Sequence, residues 1–141
     1  MSVMESITNF FAQCPLVNPE LPFYLDYVSE SDCYCISTVP NVPYKKDILG
    51  NKTYTVSFVF AYRTAISDDS DRSGNIAFLE QFNAWVDERN EAKDFPKLPP
   101  NCAGISLKIT NSGALDEVSE DGITGIYETQ LQFIYKERKV M

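Results

Sequence analysis

The sequence contains no histidine among its 141 residues. Without histidine the chain cannot build Ser-His-Asp or Cys-His nucleophile systems, nor the usual zinc sites that include this residue. Basic residues are also scarce: 12 Lys and Arg stand against 20 Asp and Glu, which gives a net charge of −8. A nucleic-acid-binding protein needs a basic footprint, and an anionic membrane repels an acidic protein. We therefore expect neither specific nucleic-acid binding nor membrane association.

Long apolar runs are missing too. No segment approaches the ~20 apolar residues of a transmembrane helix. The opening MSVMESITNFFAQC has neither the basic start nor the unbroken apolar run of a secretion signal. From these patterns we expect a soluble protein that is made in a cytosol.

The four cysteines are Cys14, Cys33, Cys35 and Cys102. The pair in "CYC" would place both thiols on one face of a strand, as a fragment of a soft-metal site would. No second Cys-x-x-Cys pair or histidine completes such a site. Disulfides remain an alternative, but reduced thiols buried as small apolar groups are the simpler expectation without a secretion signal.

What the sequence has in quantity is apolar and aromatic residues, at 44% and 13%. This content suffices for one folded domain spanning residues 1–141. Apolar spacing predicts an N-terminal helix that Ser2 and Glu5 open as a capping box and Pro15 stops. It also predicts a longer helix over about 75–93 that follows an acidic loop, ISDDSDRSG.

Alternating patterns predict the strands. The strongest is 52–65, where aromatic and β-branched residues share one face. Shorter strand character occurs in FYLDYV, at 33–40 and at 103–110, and a last strand covers 123–137. The segments KKDILGN and NSGALDEVSEDG are predicted to be turns. The predicted fold class is α+β: a mainly antiparallel or mixed sheet of about four to five strands, with two helices packed on one face.

The stretch DSDRSGNIAFLE matches the spacing of a calcium-binding EF-hand loop. Its ligand positions are Asp69, Asp71, Ser73 and Glu80, and Gly74 occupies the turn position. An EF-hand needs helices on both sides of its loop, whereas a strand precedes this one. A calcium-dependent binding module built on Asp69–Glu80 is therefore kept as an alternative function, beside a small adaptor protein.

Runs of carboxylates occur at 68–71, 87–94 and 116–121. Two carboxyls ~5–9 Å apart across a cleft would suit a glycosidase, so a small hydrolase is a further alternative. Solvated acidic turns explain the same runs without a cleft, and no phosphate-binding loop is present. We accordingly predict no catalytic residue, no cofactor-binding residue and no metal ligand, hence a protein without cofactor that is not an enzyme.

Several pieces of sequence, taken in order, carry a resemblance. They are ITNFFAQCPLV, YLDYV, CISTVP, YTVSFVFAYR, NIAFLEQFNAWVDERN (with Asn75, Phe78, Glu80, Phe82 and Trp85) and YETQLQFIYKE. Together they resemble the small tail-terminator or minor structural, head–tail joining proteins of tailed bacteriophages that infect Gram-positive bacteria. The resemblance covers nearly the whole chain but not SDDSDRSG, so the aspartates there inherit no role from it.

The resemblance implies a structural virion protein. Such a protein forms a homo-oligomeric ring, a hexamer by expectation, at the head-proximal end of the tail, where it ends tube growth and joins tail to head. The implied partners are other copies of the chain, the tail-tube protein and a head-completion or connector protein, while DNA passes through the ring. The implied location is the virion tail, after assembly in the host cytoplasm. The strand around NKTYTVSFVF and the acidic loop after it are the candidate contact surfaces.

Overall fold

Within residues 2–139, the part of the chain that the computed structural model describes, there are two helices and six strands. In chain order they are α1 (Val3–Ala12), β1 (Phe23–Leu25), β2 (Cys33–Thr38), β3 (Lys45–Lys46), β4 (Lys52–Ala65), α2 (Asp69–Glu91), β5 (Cys102–Val118) and β6 (Thr124–Glu137).

The strands form a single sheet with the order β1-β2-β4-β6-β5, and β3 pairs with the beginning of β4. The pairing of β1 with β2 is parallel, and every other pairing is antiparallel. The predicted α+β class with a mainly antiparallel sheet is confirmed. The sixth strand is the two-residue β3, which lies in a segment that the sequence predicts as a turn.

The N-terminal helix begins as its capping pattern predicts. The Ser2 hydroxyl oxygen accepts a hydrogen bond from the backbone N–H of Glu5 at 3.1 Å. The Ser2 hydroxyl also donates a hydrogen bond to the Glu5 carboxylate at 3.3 Å. The Ser2 side chain therefore satisfies a backbone N–H that has no partner within the helix, and the Glu5 side chain fixes its position. The apolar stripe of α1 then buries Ile7 and Phe11 completely.

The main core lies between the helices and one face of the sheet. Alternate residues of β4 point into this layer, including Phe58 and Phe60, and they meet Phe11 of α1 and Phe82 of α2. Full burial of each such ring stabilises the fold by about 1.5–3 kcal/mol. Both helices therefore pack on the same face, as predicted.

The long helix starts earlier than the sequence predicts, at Asp69 rather than at about residue 75. The carboxylate of Asp68 accepts a hydrogen bond from the backbone N–H of Asp71 at 2.8 Å, which caps the helix. Asp69 and Asp71 lie in the first turn, where the helix dipole favours negative charge. The prediction weighed these residues as loop formers, although the same residues also make a strong helix start.

The strand β5 corrects a second prediction, because it continues to Val118 through the segment predicted as a turn. It pairs with β6 across four register irregularities. One crowded position is Gly113, where a Cβ would lie 2.6 Å from Oγ1 of Thr129 and 2.8 Å from the side chain of Leu79. A strand that bends this closely against its neighbours loses the simple alternation that sequence patterns detect.

Candidate functional site

The residues of the EF-hand pattern do not come together around one point. Asp69 and Asp71 lie in the first turn of α2 and Ser73 lies just after it, and Asp69 pairs with Arg72 of the same helix. Glu80 lies eleven residues further along, about 16 Å from Asp69 along the helix axis. In residues 2–139 no group of three or more His, Cys, Asp or Glu side chains is placed to hold a metal ion. The helix thus holds apart the side-chain oxygens that a calcium-binding loop would bring around one ion.

The four cysteines are all free thiols. Cys33 and Cys35 are buried on the face of the sheet opposite the helices, and Cys35 lies in a small cluster with Ala61 and Ile126. Burial raises the pKa of the Cys14 thiol, despite opposing backbone hydrogen bonds. Cys14, Cys33 and Cys35 are therefore packed as small apolar groups, the simpler of the two alternatives that the sequence leaves open, whereas Cys102 is half-buried with its thiol 4.0 Å from the Glu137 carboxylate.

Away from that cluster, the second face of the sheet is polar. Its exposed and half-exposed side chains include Thr55, Ser57, Gln130 and Gln132, and Asn111 donates a 2.8 Å hydrogen bond to Gln130 across β5 and β6. No helix packs on this face in the described part of the chain, since both helices lie on the other one. The sheet therefore presents a broad polar surface.

The edge strands of the sheet are the three-residue β1 and the 17-residue β5, and within residues 2–139 β5 pairs with β6 alone. On the outer side of β5, Asn90 accepts a 2.8 Å hydrogen bond from the Leu107 N–H, and Lys93 lies 3.5 Å from the Ile105 carbonyl oxygen. An edge strand exposes unpaired backbone N–H and C=O groups along one side. The strand β4, which the sequence suggests as a contact surface, lies between β2 and β6. On its outer side β3 pairs with residues 52–53 and β2 with residues 58–63, while the Asn41 side chain bonds the backbone of Ser57 between them.

One end of the sheet collects half of the chain's 12 basic residues. They are Lys45, Lys46, Lys52, Lys136, Arg138 and Lys139. The register brings them together, since β3 pairs with the start of β4, which pairs with the end of β6. Of these six residues, Lys136 alone forms an ion pair within residues 2–139: its ammonium lies 4.0 Å from the Asp47 carboxylate. We call these six residues the basic end.

A tight turn at the basic end carries two apolar side chains in solvent: Ile48 is 96% exposed and Leu49 is 75% exposed. The turn is held by Asp47, whose carboxylate accepts hydrogen bonds from the backbone N–H groups of Leu49 and Asn51, each at 2.9 Å. Gly50 follows with a φ of +89°, which other residues rarely adopt. We call Ile48 and Leu49 the apolar tip.

The opposite end of the sheet holds ten of the 20 acidic residues. They are Glu30, Asp32, Asp68, Asp69, Asp71, Asp116, Glu117, Glu120, Asp121 and Glu128. We call this set the acidic end. Burial raises the pKa of Glu128, and the nearby charges of Asp116 and Glu117, with a hydrogen bond to Asp116, raise it further. Within the described residues, only Asp69 of these ten pairs with a basic side chain.

An open depression of about 630 Å³ lies at the acidic end. Four carboxylates line it, from Glu30, Glu117, Glu120 and Asp121. Val118 and Ile123 also line it, at 56% and 53% exposed. Arg63 is in its wall and donates a 3.0 Å hydrogen bond to the Thr124 hydroxyl.

The acid–base chemistry of a glycosidase would need a general acid with a raised pKa. Burial raises the pKa of Glu128, which does not line the depression. Asp121 does line it, but hydrogen bonds from the Ser119 hydroxyl and the Ile123 N–H lower its pKa. Four carboxylates around two exposed apolar side chains can contact a cationic surface that carries an apolar group.

A second groove, of about 670 Å³, runs beside the helices. It is lined by the rings of Phe10, Trp85 and Phe95, and an ion pair of 3.0 Å joins Arg89 to Asp94 at its side. Its charged residues are of both signs, so it lacks the one-sided charge of the acidic end.

Sequence patterns did not single out the apolar tip or the depression. The signal for the tip is present in KKDILGN, where two large aliphatic residues stand inside an otherwise polar turn. The depression has no local signal, because its residues come from a loop before β2, from β4 and from the β5–β6 turn.

Comparisons with known proteins give no functional guide. No family model matches the chain, and no curated protein matches it. Among the solved structures that match, one aligns over 99% of this chain and 93% of its own at 13% identity, with a TM-score of 0.47. This likeness is too low to support any argument about fold or function. Within the described residues, no helix is both long and apolar enough to cross a membrane.

Proposed function

We propose that this chain is a structural subunit of a tailed-phage virion that forms a ring at the head-proximal end of the tail. The ring ends growth of the tail tube and offers the surface to which the head attaches. The proposal starts from the resemblance of the ordered sequence pieces to tail-terminator proteins. The α+β fold, with two helices on one face of a mainly antiparallel sheet, is compatible with that role.

The observation that carries the proposal is the 17-residue edge strand β5. Asn90 and Lys93 cover its outer side only at the Leu107 N–H and the Ile105 carbonyl among the hydrogen bonds of residues 2–139. Beside this strand lies a polar sheet face on which neither α1 nor α2 packs. Monomeric proteins shorten, cover or charge such edges. Here bulges and charged residues interrupt the edge, which prevents indefinite strand pairing but leaves a long surface for a specific neighbour. A subunit with unlike surfaces at its two sides can form a closed ring when each contact adds the right rotation.

The net charge also suits a ring through which DNA passes. A channel with a surplus of carboxylates repels the phosphate backbone and does not retain it by counterion release. The proposed partners are therefore further copies of the chain, the tail-tube protein and a head-completion or connector protein, with DNA as passing cargo.

The test combines assembly with genetics. Light scattering of the purified chain should give a ring mass, about 96 kDa for six copies of the 16.0 kDa chain. Removal of the gene from its phage should yield tails of irregular, excessive length and unattached filled heads in electron micrographs, and plasmid expression should restore normal virions. Normal tail length without the gene product would refute the proposal, as would a chain that remains monomeric both alone and with tail tubes.

A further inference from the structure

We propose that copies of this chain join head to tail, with the apolar tip of one copy seated in the acidic depression of the next. This inference rests on the proposed function, because it names the contact by which ring subunits recognise each other. It commits to a second copy of the chain as the occupant of the depression.

The tip has the properties of a preformed docking element. Its two apolar side chains are almost fully in water, while the turn beneath them is fixed by the Asp47 carboxylate. A rigid element loses little conformational entropy on binding. Lys45, Lys46 and Lys52 flank the turn, and the ammonium of Lys52 lies 4.6 Å from the ring centre of Tyr44. The tip therefore presents an apolar point within a positively charged surround.

The depression has the matching properties. Its volume of about 630 Å³ corresponds to roughly 20 water molecules at about 30 Å³ each, which is ample for two aliphatic side chains. Val118 and Ile123 offer apolar contact, and Glu117 and Glu120 surround them with negative charge. In the contact, the apolar side chains of the tip pack on Val118 and Ile123. The lysines that flank the tip then face Glu117 and Glu120.

Geometry makes this contact intermolecular. The basic end lies at the start of β4 and the acidic end lies beyond its last residue. The 14 residues of β4 span about 45 Å, so a copy cannot bring its own tip to its own depression. Each copy carries one tip and one depression, which is the arrangement that produces closed rings or filaments.

The charges support a second copy as partner. Most carboxylates of the acidic end and most cations of the basic end have no oppositely charged partner within 4 Å in residues 2–139. Contact between two ends would pair them. Complementary charges of this kind steer association and fix its register.

Two double variants test the contact. Ile48→Asp with Leu49→Asp places negative charge on the tip, and Glu117→Lys with Glu120→Lys reverses the charge around the depression. All four side chains are exposed, and none makes a hydrogen bond that holds its turn, unlike Asp121. Matched controls are Ile76→Asp, and Glu80→Lys with Glu91→Lys, on the exposed side of α2.

We expect each double variant alone to sediment as a monomer at concentrations where the wild-type chain and both controls assemble. A mixture of the two double variants should recover at least a one-to-one dimer, because the intact tip of one variant can enter the intact depression of the other. Circular dichroism melting curves should match the wild type in every case. Assembly should weaken between about 0.1 M and 1 M salt, as the screening length falls from about 10 Å to about 3 Å.

The outcomes separate this inference from the proposed function. If the tip variant forms rings as readily as the wild type, or if the mixture gives no dimer, the tip–depression contact is wrong while a ring remains. If the wild-type chain never assembles, the proposed function is refuted, and the tip–depression contact is refuted as well because it rests on that function. For a variant that misfolds, a photo-crosslinking residue at position 49 of the otherwise natural chain decides: crosslinks to 117–123 of an isotope-labelled second copy support the contact, and crosslinks elsewhere overturn it.

Discussion

The rings of Phe60 and Phe82 stack with their centres 4.3 Å apart and their planes inclined by 20°. Both residues are fully buried, and the pair joins the central strand β4 to the long helix α2. This contact fixes the helix across the sheet, and Phe78 and Trp85 extend the row of rings along the same helix. This packing of α2 on β4 stabilises the sheet whose two ends carry the basic and the acidic residues.

Phe82→Ala should destabilise the fold by about 3–5 kcal/mol, because it removes a fully buried ring and leaves a cavity against Phe60 and Phe11. The measurement is urea unfolding followed by circular dichroism. Ile76→Ala is the control on the same helix: its side chain is exposed, and its effect should stay within about 0.5 kcal/mol. Equal effects at the two positions would contradict the described packing.

Gly74→Ala should stabilise the protein by about 0.5–1 kcal/mol. Gly74 lies inside α2, a Cβ there meets nothing within 4 Å, and alanine favours a helix over glycine. In an EF-hand loop the same glycine makes a sharp turn, and alanine would be unfavourable there. Gly122→Ala is the contrasting variant: it is equally uncrowded but has a φ of +73°, so it should lose stability. A loss of stability at Gly74 would argue against a helix that starts at Asp69.

Calcium should leave the melting temperature unchanged relative to magnesium. At about 10 mM calcium, a site with a Kd of about 1 mM would stabilise the fold by about 1.4 kcal/mol, which is readily detected. We expect no such gain, because the helix separates Asp69 and Asp71 from Glu80. A calcium-specific rise that disappears in the Asp69→Asn, Asp71→Asn double variant would restore the binding-module alternative.

Glu128→Gln should raise the melting temperature at neutral pH. The pKa of Glu128 is raised in the folded state, first by burial and then by Asp116 and Glu117. For a carboxyl whose folded pKa exceeds its unfolded value, stability is favoured below the unfolded pKa and is lost as pH rises through the folded pKa. The variant removes that loss, so its advantage should shrink as pH falls from about 7 to about 4.

Melting curves at several pH values test this expectation. Glu80→Gln, on the exposed side of α2, is the control for removing one negative charge. An advantage for Glu128→Gln that does not change with pH would mean that its carboxyl is not the source.

The sequence by itself predicted the parts whose residues form a regular local pattern. The capping residues of α1, the alternation of β4 and the apolar stripe of α2 each specify an element from neighbouring positions, and together they predicted the α+β class. The predicted start of the long helix was wrong because the residues before it favour a loop and a helix start about equally. Asp68 to Gly74 suit a loop or a helix start, and the capping hydrogen bond of Asp68 decides for the helix.

Only the tertiary structure decided what lies at each end of the sheet. Lysines 84 positions apart in sequence, Lys52 and Lys136, come together because β4 pairs antiparallel with β6 over 14 residues. The same pairing carries the acidic residues to the far end. Composition determined that the chain is acidic. The strand register determined that half of its 12 cations lie beside the apolar tip, about 45 Å from the carboxylates that they would meet in another copy.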